Sequence, residues 1–348
     1  MIKLSKYSLL TCIFSVMLLS CADNKKNKES DLALDDEAIV AEATSLELPV
    51  KRIPNVSSGA EAYFSPNGKS VIFNGKMGQD TTHHVYTVNI DGTDLKKINA
   101  FGDDACSHYV PDGEHLIWTS TRDNVEMHRG NYSDPEDYPQ GAELYMSDLD
   151  GKNIVRLTNN TQYDAEVGIS PNGKIILFSR QTDGMIDLWT MSPDGSNQKQ
   201  ITFTEDLQEG GAFIMNDNKT ILFRAWKKSE EGQEKMNMHI FTIDIDGKNM
   251  KQITHKSGTH WAPFPAPNGD HFAYVTVFPP NNYEIMLRSL KTGEEVRLTN
   301  NDGFDGFPAF SPDGKLMSFS SSRGNEKGDR SLKLFVMDVS SSNLGPKE

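Results

Sequence analysis

Six copies of one short phrase constrain this chain more than anything in its composition. "SPNGK" stands at Ser65 and Ser170, "VPDGE" at Val110, "APNGD" at Ala266 and "SPDGK" at Ser311, with a decayed "MNDNK" at Met215. Ser, Pro, Asn or Asp, then Gly suits a type I turn. The flanks are β-type, as in "FPAF" before and "LMSFS" after Ser311, so each copy reads as a hairpin. Steps between the second residues (Pro66, Pro111, Pro171, Asn216, Pro267, Pro312) are 45, 60, 45, 51 and 45. A second, strand-like phrase also occurs six times: "VYTVNIDG" (Val85), "LYMSDLDG" (Leu144), "LWTMSPDG" (Leu188), "IFTIDIDG" (Ile240), "IMLRSLKTG" (Ile285) and "LFVMDV" (Leu334). A third occurs five times after it, from "KKIN" at Lys96 to "VRLT" at Val296.

The missing sixth copy is at the front. "KRIPNVSSGAEAYFSPNG" from Lys51 reads like "VRLTNNTQYDAEVGISPNG" from Val155. Lys51 to Pro54 is therefore expected to be the last strand of a unit whose first three strands lie at the C-terminus. A linear stack has no use for this arrangement, whereas a ring uses it to remove an open sheet edge. The expected fold is all-β: a six-bladed β-propeller of four-stranded antiparallel blades, closed by an N-terminal strand that completes the last blade.

These phrases resemble the WD40-like PD40 repeat of the TolB family across residues 48–340. The resemblance implies architecture and leaves function open, because one fold serves many tasks. Propeller peptidases add an α/β-hydrolase domain, and G-x-S-x-G, H-E-x-x-H, G-x-G-x-x-G and P-loop patterns are absent.

Residues 1–20 hold Lys3, Lys6 and the apolar run "LLTCIFSVMLL", a secretory leader ending in "LLSC". This ending resembles a bacterial lipobox, which implies lipidation of Cys21; the competing reading is an ordinary cleaved signal. Residues 21–46 are polar and read as a tether, leaving 47–348 for the propeller. With Cys12 in the leader and Cys21 lipidated, only Cys106 remains, and no disulfide can form within the domain. Ala22 follows the lipid Cys, and by that resemblance the expected location is the bacterial envelope, as an outer-membrane lipoprotein facing the periplasm or the surface. Beyond the leader, 33 basic residues meet 49 acidic ones, a net of −16. This excludes nucleic acid and leaves the lipid as the only expected contact with a membrane.

Seven residues before the second residue of each turn phrase stand Gly59, Asp104, Asp164, Glu209, His260 and Asp305. Four acids and a histidine look like a metal site. However, the second strands end with Arg122, Arg180, Arg224 and Arg323 in the same four blades as the acids, so four intrablade ion pairs are expected. His260, beside Trp261, is left over as a core or channel histidine. Strand alternation would put His108, Glu61, Glu166 and His260 on one channel face or turn all of them inward. "DLDGKN" and "DIDGKN" read as Asp-Gly hairpin turns and lack a full calcium pattern. The 60-residue step adds 15 residues within Thr121–Glu143, including His128, Arg129, Tyr132 and Tyr138. This segment is either a binding loop or a self-packed Ω-loop.

The expected function is a lipid-anchored, non-catalytic binding module for an envelope protein or a glycan, with no cofactor. The alternative is a divalent-metal-assisted carbohydrate enzyme, similar at the repeat level to oligogalacturonate lyases, with a channel site built on His108 and His260.

Overall fold

A computed structural model describes residues 46–347 except 135, 234, 235 and 327. The expected leader, Cys21 and all of the tether but Leu46 lie outside the described residues.

Asp-Gly and Pro-Asn/Asp-Gly turns break the chain into short strands, and these pair in order. Strand β1 (Val50–Arg52) stands apart at the front. Blade 1 is β2 (Ala60–Phe64), β3 (Ser70–Gly75), β4 (His84–Asn89) and β5 (Lys96–Lys97). Blade 2 is β6 (Asp104–Tyr109), β7 (His115–Ser120), β8 (Glu143–Asp148) and β9 (Val155–Arg156). Blade 3 is β10 (Tyr163–Ile169), β11 (Ile176–Thr182), β12 (Met185–Met191) and β13 (Lys199–Gln200). Blade 4 is β14 (Leu207–Ile214), β15 (Thr220–Lys227), β16 (Met238–Asp244) and β17 (Lys251–Gln252). Blade 5 is β18 (His260–Pro265), β19 (His271–Phe278), β20 (Asn282–Ser289) and β21 (Glu295–Arg297). Blade 6 is β22 (Asp305–Phe310), β23 (Leu316–Ser321) and β24 (Lys333–Asp338), and β1 completes it in the order β1-β24-β23-β22.

The closure is the expected one, displaced by a residue. Val50, Lys51 and Arg52 pair with Met337, Val336 and Phe335. The Ile53 amide still donates to the Leu334 carbonyl at 2.8 Å. Pro54 has no N–H and ends the pairing.

The core is divided among the blade junctions. Each of six apolar clusters joins two neighbouring blades. At the seam, Ile53, Val56, Phe73 and Tyr86 meet Leu334 of the last blade. No blade buries both its faces alone, so the ring is the unit that excludes water.

Every inner strand carries a β-bulge at the same place. Register shifts fall between Ala60 and Tyr63, and at the equivalent point in β6, β10, β14, β18 and β22. The residue five before the turn proline (Asn216 in blade 4) takes positive φ in all six: Glu61 (55°), Cys106 (44°), Glu166 (52°), Gly211 (54°), Ala262 (47°) and Phe307 (54°). An extra residue reverses the face on which later side chains point. The one-face grouping of His108, Glu61, Glu166 and His260 therefore fails, because His260 precedes the bulge.

The two ends of the ring differ. The turn phrases and Asp-Gly hairpins close one end tightly; Gly151 and Gly247 hold φ of 75° and 88° there. The long connections, 76–83, 121–142, 228–237 and 322–332, all leave from the other end.

Candidate functional site

The bulges turn polar groups toward the ring axis and link the blades. Glu61 of blade 1 accepts the Cys106 amide of blade 2 at 3.1 Å and Asn74 Nδ2 at 2.9 Å. Glu166 of blade 3 accepts the Gly211 amide of blade 4 at 2.8 Å, Ser179 Oγ at 2.8 Å and Arg224 Nη2 at 2.6 Å. Between blades 6 and 1, the Glu61 amide donates to Ser320 Oγ at 3.2 Å. The two carboxylates titrate in opposite directions. Burial and the neighbouring Glu166 raise Glu61. Burial also opposes ionisation of Glu166, but the Arg224 guanidinium outweighs it and holds Glu166 below the usual range.

Further along the axis an aromatic cluster fills the channel. Tyr63 lies 4.0 Å from the His108 ring, 5.9 Å from Phe213 and 5.8 Å from Phe264, and Phe213 and Phe264 meet edge-on at 4.8 Å. Burial pushes His108 down to about 3, so it is a neutral ring within this plug at physiological pH.

The four expected acid–arginine pairs resolve in three ways. Arg180 grips Asp164 through two bonds of 2.6 and 2.7 Å, and Arg323 pairs with Asp305. Arg122 reaches Asp104 only through Asn99, whose Oδ1 accepts Arg122 Nη1 at 3.0 Å and whose Nδ2 donates to both Asp104 oxygens. The Glu209–Arg224 pair does not form. Arg180 stands opposite Asp164 in register, whereas Arg224 stands one place earlier in its blade, opposite Gly210. That single step turns Arg224 to the other face of the strand, toward Glu166. A Cβ on Gly211 would come within 2.5 Å of the guanidinium, so the glycine pair leaves the space Arg224 occupies.

Glu209 is then buried without a cation, held by Thr204 Oγ1 at 2.6 Å and near Thr202 and Asp187. Burial, with a smaller push from Asp187, raises it to about 8. A raised folded-state value gives stability that is complete below the unfolded value near 4.5 and lost as pH rises through about 8. Glu209→Gln is therefore expected to stabilise the chain by about 4 kcal/mol at pH 9 and by little at pH 4. Urea midpoints of the variant and the parent across that range check this; a pH-independent offset would refute it.

His260 sits inside blade 5, 4% exposed, with Nε2 at 2.9 Å from the Lys256 carbonyl and Nδ1 at 3.4 Å from Thr276 Oγ1. The structure does not bring it into one group with His108. Among the described residues, no three of His, Cys, Asp and Glu gather in a metal-holding arrangement. Trp261 points elsewhere, edge-on to Phe307 at 4.6 Å.

The blade 2 insertion packs on its own scaffold. Tyr138 stacks on Tyr163 at 4.3 Å, Tyr132 lies 6.1 Å from the same ring, and Tyr132 Oη donates to the Asp103 carbonyl at 3.0 Å. Backbone bonds from Asn131 to Asp137 and from Gln140 to His128 tie the loop to itself. Its outer side stays open: His128 bonds Asp137 at 2.5 Å, and Arg129 borders a cleft of about 340 Å³ that also meets Phe101 and Val125. Phe101 is 68% exposed, and Phe203 in the matching loop of blade 4 is 75% exposed. No residue-type pattern marked the bulges or the carboxylate links. The Gly210–Gly211 pair was the one sequence signal that a large side chain crosses β14.

Fold and channel define a class first: a six-bladed propeller with a plugged axis and one end built for long loops. Residues 225–345, from blade 4 to the end of blade 6, match the PD40 family, described as the TolB beta propeller domain. Over those residues the chain is similar to TolB-type propellers. An uncharacterized protein of Agrobacterium fabrum is 25% identical over 177 residues, 49% of this chain and 54% of that one. The chain spans about half the length, or less, of the curated relatives it matches. A putative TolB from Agrobacterium tumefaciens superposes with a TM-score of 0.60 at 18% identity, covering 83% of this chain and 96% of that one. An oligogalacturonate lyase from Vibrio parahaemolyticus does so at 0.55 and 12% identity, covering 85% and 95%. These structural likenesses are likenesses of fold.

Proposed function

We propose that this chain is a non-catalytic binding module of the bacterial envelope, anchored through lipid on Cys21, that receives an envelope protein or a glycan at the long-loop end. The asymmetry of the ends carries this reading. Rigid blades present four long connections and the exposed Phe101, Val125 and Phe203 on one side, and exposed apolar groups on surface loops mark contact sites. The separation of His108 from His260, and the packing of the His108 ring against Tyr63 and Phe213, weigh against the metal-enzyme alternative. Among the described residues no helix is long and apolar enough to cross a membrane.

A photo-crosslinking residue placed in living cells at Val125 or Phe203 is expected to give discrete adducts. The same residue at Leu149 or Asp313, on the tight-turn end, is expected to give none. Equal labelling at both ends would refute the reading. One bound divalent ion per chain, lost in His108→Ala, would favour the enzyme instead.

A further inference from the structure

At the blade 5–blade 6 junction, four aromatic rings remain half-buried on the long-loop end of the ring. Trp261 meets Phe307 at 4.6 Å and Phe304 at 6.3 Å, Tyr283 lies 5.1 Å from Phe304, and Phe304 lies 6.2 Å from Phe307. Phe307 is the bulge residue of β22. Gly306 lets the rings approach, because a Cβ there would lie 2.5 Å from Phe304 and 3.4 Å from Trp261. Tyr132, Tyr138 and Tyr163 of blades 2 and 3 are covered by the loop they pack with, whereas this group keeps ring surface in water. Leaving such area exposed forgoes the favourable free energy of its burial.

We propose that this aromatic cluster is a subsite for a neutral glycan, with Trp261 and Tyr283 stacking on the apolar face of a pyranose ring. The inference rests on the binding-module reading above and commits it to one ligand class. A pyranose offers C–H faces to aromatic rings and hydroxyls to small polar groups. Asn281, Asn300 and Asp302 are exposed within three or four residues of Tyr283 and Phe304, and supply amide and carboxylate partners. The cations on the flanking strands are engaged: Arg297 with Glu284 at 2.8 Å, and Arg323 with Asp305. With a net of −16 outside the leader, the chain repels acidic polymers, and an uncharged ligand meets no such barrier.

Trp118 and Trp226 are fully buried, so in a Trp189→Phe background Trp261 is the indole that a ligand can reach. The full chain is titrated with cellohexaose, xylohexaose, mannohexaose, trigalacturonate and a proline-rich peptide while tryptophan emission is followed. At least one neutral hexasaccharide is expected to shift the emission saturably, and trigalacturonate is not. Trp261→Ala, which also removes the reporter, should abolish binding followed by calorimetry, and Tyr283→Ala, with Trp261 still reporting, should weaken it at least tenfold. Melting curves of both variants separate lost binding from lost fold. No shift with any neutral sugar, or equal affinity in Tyr283→Ala, overturns the proposal. A shift produced only by a proline-rich peptide assigns the cluster to a protein partner and likewise overturns it. Crosslinking at Val125 or Phe203 alongside a failed titration would refute the ligand class alone, and failure of both would refute the binding module.

Discussion

Ile53→Asp is expected to destabilise the propeller by at least about 4 kcal/mol, although the residue lies outside the repeats as they run along the chain. Ile53 is 1% exposed and packs with Val56, Phe73 and Leu334 where the first and last blades meet. Removing a buried isoleucine costs about 2–5 kcal/mol, and an unpaired carboxylate there adds a desolvation penalty. Lys51→Ala, two residues earlier and exposed within β1, should cost less than about 0.5 kcal/mol. Chemical denaturation of the two variants tests the closure directly. Similar midpoints would mean that the seam contributes nothing and that the ring is held elsewhere.

Arg224→Met should cost about 3–5 kcal/mol at neutral pH, because it leaves Glu166 charged and buried without its cation. Glu166 keeps Ser179 Oγ and the Gly211 amide as donors, but neither carries charge. The arginine holds the Glu166 carboxyl low, so its stabilisation is present above the unfolded value near 4.5 and fades as pH falls below that. The loss in Arg224→Met should therefore shrink in acid. Glu166→Gln with Arg224→Met should recover most of it, since the buried charge is gone. A double variant no more stable than Arg224→Met would show that the guanidinium works by packing rather than by charge.

These two predictions sit on opposite sides of what could be read from residues alone. Blade number, strand order and closure were legible because hairpin chemistry is local. A Pro-Asn/Asp-Gly turn fixes its own backbone, and its recurrence counts the blades without knowledge of any long-range contact. The split third phrase, with its sixth copy at Lys51, located the seam for the same reason. The channel was less legible. Six residues of unrelated type, from Glu61 to Phe307, adopt the same positive φ, and nothing in their side chains announces it. The bulge comes from packing inner strands around one axis, and it reverses which side chains face that axis. Hence Asp164 found Arg180 as expected, while Arg224, one register place away, crossed to Glu166 and left Glu209 among threonines. The sequence by itself determined the number of blades and how the ring closes, because turns and strand periodicity are set by neighbours along the chain. Only the tertiary structure decided which charges meet, because a one-residue bulge moves a carboxylate from one side of a strand to the other.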